Sequence, residues 1–166
     1  EGLELGGRRL GLIGFGGIGR SLADMGRALG MNLSIWNRSP LGDEWAEYAA
    51  DLDDLLAQSD FVSIHLALNS QTHGFLSAER IARMRPGAIL VNTARAAIVD
   101  TAALIAALQS GHLRHAGLDV FDMEPLPLDD PLRTTPNLTL TAHAGFKTPE
   151  ATSRLMRAAV AMTREG

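Results

Sequence analysis

The chain has 166 residues, 46% of them hydrophobic and 20% charged, an ordinary globular composition with enough length for one domain and its own core. With 15 basic against 19 acidic side chains the formal charge is −4, so there is no positive surplus of the kind that grips nucleic acid. Cysteine is absent, which excludes disulfides and thiolate metal sites, and neither a bilayer-spanning apolar run nor a secretory signal at the polar, Gly-rich start is legible, so the expectation is a soluble, cytoplasmic protein.

Short apolar runs alternate with segments of helical length. Residues 9–13, 33–36, 61–65, 88–92, 116–120 and 138–141 are rich in Ile, Leu and Val and lack strict polar alternation, so they read as buried strands. Between them lie helix candidates. Residues 21–29 stop at Gly30, and 52–58 follow Asp51 as N-cap. Ser77 can cap 78–84, which halts at Pro86-Gly87, and 101–109 end before Gly111. A last helix begins at Thr148, with Pro149 in its tolerated first position, and runs to about Thr163. Strand and helix alternating this often imply an α/β fold: a Rossmann-type doubly wound parallel sheet of six or seven strands with helices on both faces. The whole chain, 1–166, reads as a single domain without repeats or linkers. Residues 122–136 hold Pro125, Pro127, Pro131 and Pro136 and read as a loop, either functional or a surface excursion closing the last crossover.

One motif stands out. Gly14-Phe15-Gly16-Gly17-Ile18-Gly19 directly follows the first strand and opens a helix, the context in which such a turn holds a dinucleotide. Gly14 permits the tight turn, Gly16 clears the approach of a pyrophosphate, and Gly19 lets helix and strand pack closely. The amides and dipole at the helix start then face the phosphates. A carboxylate near the end of the second strand normally takes the ribose hydroxyls of NAD; here the position falls close to Asn37, followed by Arg38 and Ser39. With no acid to repel a 2′-phosphate and a guanidinium and hydroxyl at hand, the turn favours NADP, while NAD held through Asn37 with Arg38 stacked on adenine or in solvent is the alternative.

Further reactive groups fall just after strands, where an open parallel sheet collects its ligands. Arg95, Asp119, Glu124 and His143 form a plausible acid–base site with an anion clamp: arginine grips a carboxylate bidentately, and a glutamate beside a histidine supports the imidazolium. Each also has a plain reading, as a surface arginine, a solvated loop acid or a satisfied buried histidine. His65 ends the third strand on the ligand side and is placed to line a cofactor cleft. His73 is expected at a helix start, and His112 and His115 at a strand entry facing solvent. No histidine pair has helical metal-ligand spacing, so no metal is inferred.

Taken together, Leu10–Gly19, Val62–His65, Met84–Arg95, Gly117–Pro125 and Thr141–Gly145 resemble the nucleotide-binding domain of the D-isomer-specific 2-hydroxyacid dehydrogenases over nearly the whole chain. The resemblance implies that Arg95 binds a substrate carboxylate, that His143 exchanges the proton and that Glu124 pairs with it. It further implies cofactor contacts from Gly17, Ile18, Leu66, Thr93, Ala94, Arg95, Asp119, His143, Ala144, Gly145 and Phe146, with Asp119 at the nicotinamide end. Ala96 stands where the family usually has glycine and Ala67 where it has proline, whereas Glu124 disfavours the formate dehydrogenase relatives, which carry an amide there. Asn37-Arg38-Ser39 is similar to the glyoxylate and hydroxypyruvate reductase branch, in agreement with NADP. Family members are about twice this long, so the chain is expected to be the cofactor-binding portion of a larger enzyme, inactive alone, that acts on a small 2-oxo acid and assembles as a homodimer. A phosphoglycerate- or phosphite-type dehydrogenase, or a dehydrogenase-like corepressor or redox sensor, are the rival readings.

Overall fold

Where Ile, Leu and Val cluster in runs of three to five residues, the chain forms strands: β1 (Arg9–Ile13), β2 (Asn32–Trp36), β3 (Phe61–Ile64), β4 (Ile89–Asn92), β5 (His115–Leu118) and β6 (Leu138–Leu140). The computed structural model describes residues 2–164, and side chains through Arg157; Glu1, Glu165 and Gly166 of the single-domain reading lie outside the described residues. All pairings are parallel, in the order β2-β1-β3-β4-β5-β6, and a lone parallel bridge from Ile35 to Ala49 continues the sheet beyond β2. The sheet has six strands, within the expected six or seven. Strand order reverses at the β1–β3 boundary, which opens a crevice at the carboxyl ends of the strands.

Among the described residues four helices connect the strands, α1 (Gly17–Ala28), α2 (Leu52–Gln58), α3 (Ala78–Arg83) and α4 (Thr101–Gln109), and a fifth, α5 (Pro149–Arg164), follows β6. Asp51, Ser77 and Asp100 each accept a backbone N–H of the first turn of α2, α3 and α4, the capping that short helices need. Helix α1 begins at Gly17, four residues before the expected Ser21, because the glycine turn itself winds into its first turn. Short 3-10 helices at Asp43–Tyr48, Ala96–Ile98 and Pro131–Arg133 were not legible in the sequence, their hydrophobic signal being too short for either period.

Alternation along β1 separates two cores. Leu10 and Leu12 pack with Ala23, Ile35 and Trp45 on the α1 side. Ile13 joins Leu55, Leu56, Val62, Ile81, Leu90 and Leu104 on the side of α2, α3 and α4. Between these layers, Gly11 touches α2 so closely that a Cβ there would lie 2.7 Å from Leu55 Cδ2 and clash with Ser59 Oγ.

Three histidines sit differently from the sequence expectation. His73 lies in the turn before Leu76, not at a helix start. His112 Nε2 is 3.1 Å from the Ile81 carbonyl and His115 Nε2 is 2.9 Å from Thr139 Oγ1, so both have protein partners; sequence neighbours cannot reveal contacts with a helix and a strand far along the chain. Among the described residues no helix is long and apolar enough to cross a membrane.

Overpacking at the β1–α2 contact predicts that Gly11→Ala destabilises the fold by about 1–3 kcal/mol, read from the urea midpoint at unchanged slope.

Candidate active site

At the end of β1 the backbone must turn sharply into α1. Gly14 does so at φ 95°, a left-handed conformation that a side chain resists, and a Cβ at Gly19 would lie 2.6 Å from the Gly14 carbonyl oxygen. A Cβ at Gly16 or Gly17, by contrast, would meet nothing within 4 Å, so the space in front of the helix start is open. The first amides of α1 point into it, since a helix cannot satisfy them internally. This cradle fits a pyrophosphate.

The cradle is bolted to β2. Gly14 N–H donates to the Trp36 carbonyl at 2.9 Å, Phe15 N–H donates to Asn37 Oδ1 at 3.1 Å, and Asn37 Nδ2 donates to the Ser39 carbonyl at 3.0 Å. Both ends of the Asn37 carboxamide are thus committed to backbone. Arg38 and Ser39 are exposed beside it, and Arg38 Nη1 donates to Gln71 Oε1 at 2.9 Å.

A cleft of about 350 Å³ brings together Ile18, His65, Leu66, Thr93, Ala94 and Arg95 from the ends of α1, β3 and β4. His65 Nε2 is 2.9 Å from Ser63 Oγ, and burial pushes its imidazole below the usual histidine range, favouring the neutral ring. Asn92, fully buried at the end of β4, shapes the turn that carries Arg95: its Oδ1 accepts Ala94 N–H at 3.0 Å and its Nδ2 donates to the Arg95 carbonyl at 2.9 Å. The Arg95 guanidinium is exposed and donates to the Ala94 carbonyl at 2.6 Å, keeping further N–H groups for an anion.

A second hollow, about 570 Å³, is lined by Glu124 and His143 together with Phe121, Leu126, Leu140 and Phe146. His143 Nδ1 lies 2.8 Å from Glu124 Oε2 and 3.0 Å from Oε1, and Phe121 N–H donates to Oε1 at 3.1 Å. Those bonds, the one from His143 foremost, hold the Glu124 carboxyl below its usual range. Side-chain exposures of 34% and 38% leave this ion pair screened by solvent and of little weight in stability, so its role is orientation. Phe146 packs edge-on against the imidazole at 5.9 Å between ring centres.

His143 has φ 48°, an uncommon backbone state for a side-chain-bearing residue. Asp119, just past β5, holds it there. Buried, it accepts from Thr141 Oγ1–H at 2.5 Å, Ala144 N–H at 2.9 Å and Gly145 N–H at 3.0 Å. Burial alone would raise the Asp119 carboxyl, but these three donors and the nearby His143 charge outweigh it and keep the acid below the usual carboxylate range.

The arrangement thus brings Ile18 together with the expected residues after β3 and β4 in one cleft, leaves Asn37, Arg38 and Ser39 outside its lining, and puts Glu124 and His143 in a second hollow, with β5 between the strands that carry Arg95 and His143. Sequence reasoning gave no role to Asn92, Thr141 or Gln71. For Asn92 a signal was available, because a buried amide ending an apolar strand must find partners. Among the described residues no group of three or more His, Asp or Glu is disposed to hold a metal ion.

A glycine cradle opening on a helix at a topological switch point defines a dinucleotide-binding fold, and a hydrogen-bonded histidine–glutamate pair lies at the same rim. Comparison with known proteins agrees. A family model described as D-isomer specific 2-hydroxyacid dehydrogenase, NAD binding domain, matches residues 1–145. The glyoxylate reductase of Aeropyrum pernix is 42% identical over 157 residues, covering 93% of this chain and 47% of that protein. The hydroxypyruvate reductase of Thermotoga maritima is 42% identical over 159 residues, covering 93% and 51%. The crystal structure of a glyoxylate reductase from Paecilomyes thermophila superposes with a TM-score of 0.86 at 40% identity, covering 93% of this chain and 48% of that one. The chain belongs to the D-isomer-specific 2-hydroxyacid dehydrogenase family and spans about half the length of the relatives it matches.

Because the folded Asp119 carboxyl titrates below its unfolded value of about 3.9, the stability it contributes is complete above that pH and drains away as pH falls through the folded value. Urea unfolding followed from pH 6 down to 3 should therefore show a steeper acid loss for wild type than for Asp119→Asn, which at pH 6 is itself about 1–3 kcal/mol less stable.

Proposed function

We propose that this chain is the cofactor-binding domain of an NADP(H)-dependent reductase interconverting a small 2-oxo acid of the glyoxylate or hydroxypyruvate type and its D-2-hydroxy acid. The observation that carries this reading is the His143 Nδ1 to Glu124 Oε2 contact of 2.8 Å at the rim shared with the glycine cradle. With Nδ1–H held by a carboxylate, Nε2 is the nitrogen left to exchange a proton with the substrate oxygen. In reduction His143 gives that proton to the developing alkoxide and keeps its Nδ1–H on Glu124. Arg95 clamps the substrate carboxylate through its guanidinium fork, orienting the carbonyl and stabilising the charge that gathers on it.

Gly14, Phe15, Gly16, Gly17, Ile18 and Gly19 would hold the pyrophosphate, with Asn37, Arg38 and Ser39 at the adenosine ribose. His65, Leu66, Thr93, Ala94 and Arg95 would border the cleft, and Asp119, His143, Ala144, Gly145 and Phe146 the nicotinamide end. When bound, the reduced nicotinamide supplies the hydride. NADP is favoured over NAD because the turn after β2 offers a guanidinium and a hydroxyl and no carboxylate. The names of the relatives support the substrate class.

Since those relatives are about twice as long, we take the substrate cleft to be closed by a second domain that excludes water. A cytoplasmic location goes with a cofactor supplied inside cells, and a homodimer goes with the family resemblance; light scattering on the intact protein reads the latter.

Two measurements test this reading. The 166-residue chain should bind NADPH more tightly than NADH in a fluorescence titration while turning over glyoxylate and hydroxypyruvate negligibly; equal or inverted affinities overturn the NADP assignment. In the intact enzyme His143→Ala should lower kcat by about 10²–10⁴-fold with one of these 2-oxo acids and leave cofactor affinity nearly unchanged. Retained turnover in that variant removes His143 from the chemistry.

A further inference from the structure

Arg38 is held from outside its own turn. Its Nη1 donates to Gln71 Oε1 at 2.9 Å, a contact spanning 33 residues of sequence between the end of β2 and the loop after β3. That loop is organised by its own bonds. Asn69 Oδ1 accepts Gln71 N–H at 2.8 Å and Thr72 N–H at 3.1 Å, while Thr72 Oγ1 accepts Asn69 N–H at 2.8 Å and donates to the Ala67 carbonyl at 2.7 Å. Gly74 N–H donates to the Ala97 carbonyl at 2.7 Å and so anchors the loop to the turn that follows β4. Gln71 is thus presented on a rigid support, and a flexible arginine is steadied by it.

The partner's chemistry matters as much as its position. A carboxylate there would accept the same hydrogen bond but neutralise the guanidinium and repel a dianionic group arriving beside it. An amide accepts the bond at no charge. Only one of the five guanidinium N–H groups is used by Gln71, so the others keep their capacity for phosphate oxygens. Asn37 is a poorer candidate for the discrimination: it is uncharged, and its carboxamide already accepts Phe15 N–H and donates to the Ser39 carbonyl.

We propose that Gln71 is a specificity-determining residue for the cofactor: a neutral support that aims Arg38 at a ribose 2′-phosphate without cancelling its charge. The proposal rests on the NADP reading above and names a residue on a separate loop as part of it.

The test is titration of NADPH and NADH into the wild-type chain, Gln71→Glu, Gln71→Ala, Arg38→Ala and the Arg38→Ala/Gln71→Ala double variant. Gln71→Glu should cut the NADPH-over-NADH affinity ratio about tenfold or more, through charge alone. NADH affinity and the urea midpoint should stay close to wild type, because the residue is exposed and its backbone bonds are untouched. Gln71→Ala should lower the ratio only about two- to fivefold, and should change nothing once Arg38 is already alanine, which marks the effect as passing through the guanidinium. A wild-type preference for NADPH that survives Gln71→Glu overturns the assignment of Gln71 and leaves the cofactor reading standing. A wild-type chain with no preference for NADPH overturns both.

Discussion

The rest of the molecule depends on how closely β1 and α1 approach at the glycine turn. With Gly14 in a left-handed conformation and Gly19 against its carbonyl oxygen, the chain passes from the end of β1 at Ile13 to the start of α1 at Gly17 in a tight three-residue turn. That economy aims the unsatisfied amides of α1 along the sheet rim, and it brings Phe15 near enough to β2 for Asn37 to bind its N–H. A methyl at Gly19 would push strand and helix apart, and the anchoring of the turn to β2 would be lost with them. The geometry is costly for most sequences and is stable here because both faces of β1 are buried in cores of Leu, Ile, Val and aromatic side chains.

At the other side of the rim the electrostatics are arranged in two tiers. The exposed Glu124–His143 pair contributes little to folding, yet its geometry decides which imidazole nitrogen faces outward. The buried Asp119 carries the structural weight: three donors converge on it from the segment containing His143, and they favour its charged form against the desolvation that opposes it. A strained backbone at His143 is therefore maintained by an acid that does not itself touch the ring nitrogen. Separating the group that holds the turn from the group that orients the imidazole lets the latter stay solvent-accessible and titratable.

The long loop between β5 and β6 shows how an irregular segment becomes a support. Arg133 donates through Nε and Nη2 to the carbonyls of Pro127 and Leu126, and Asp130 caps the turn at Pro131–Arg133. Its prolines limit the conformations open to the unfolded chain. Glu124 reaches His143 from this braced loop, and of the two interpretations of 122–136 open from composition, the functional one accords with that contact.

Much of this protein was legible without coordinates. Periodicity placed all six strands within two residues of their ends, because strands buried on both faces must be short and apolar. The caps at Asp51 and Ser77 and the stops at Gly30 and Gly111 followed from local backbone chemistry. The Gly14–Gly19 turn declared its ligand class for the same reason: Gly14 and Gly19 answer local steric demands, and Gly16 and Gly17 leave the space in front of the helix open. Long-range pairing decided the remainder. Nothing near Arg38 in sequence points to Gln71, nothing near Asp119 points to the amides of Ala144 and Gly145, and the bridge from Ile35 to Ala49 depends on how their neighbours pack. Local propensity and pattern act through residues a turn apart, whereas hydrogen bonds across a parallel sheet join strand ends separated by whole helices, and only the folded chain specifies which of them meet.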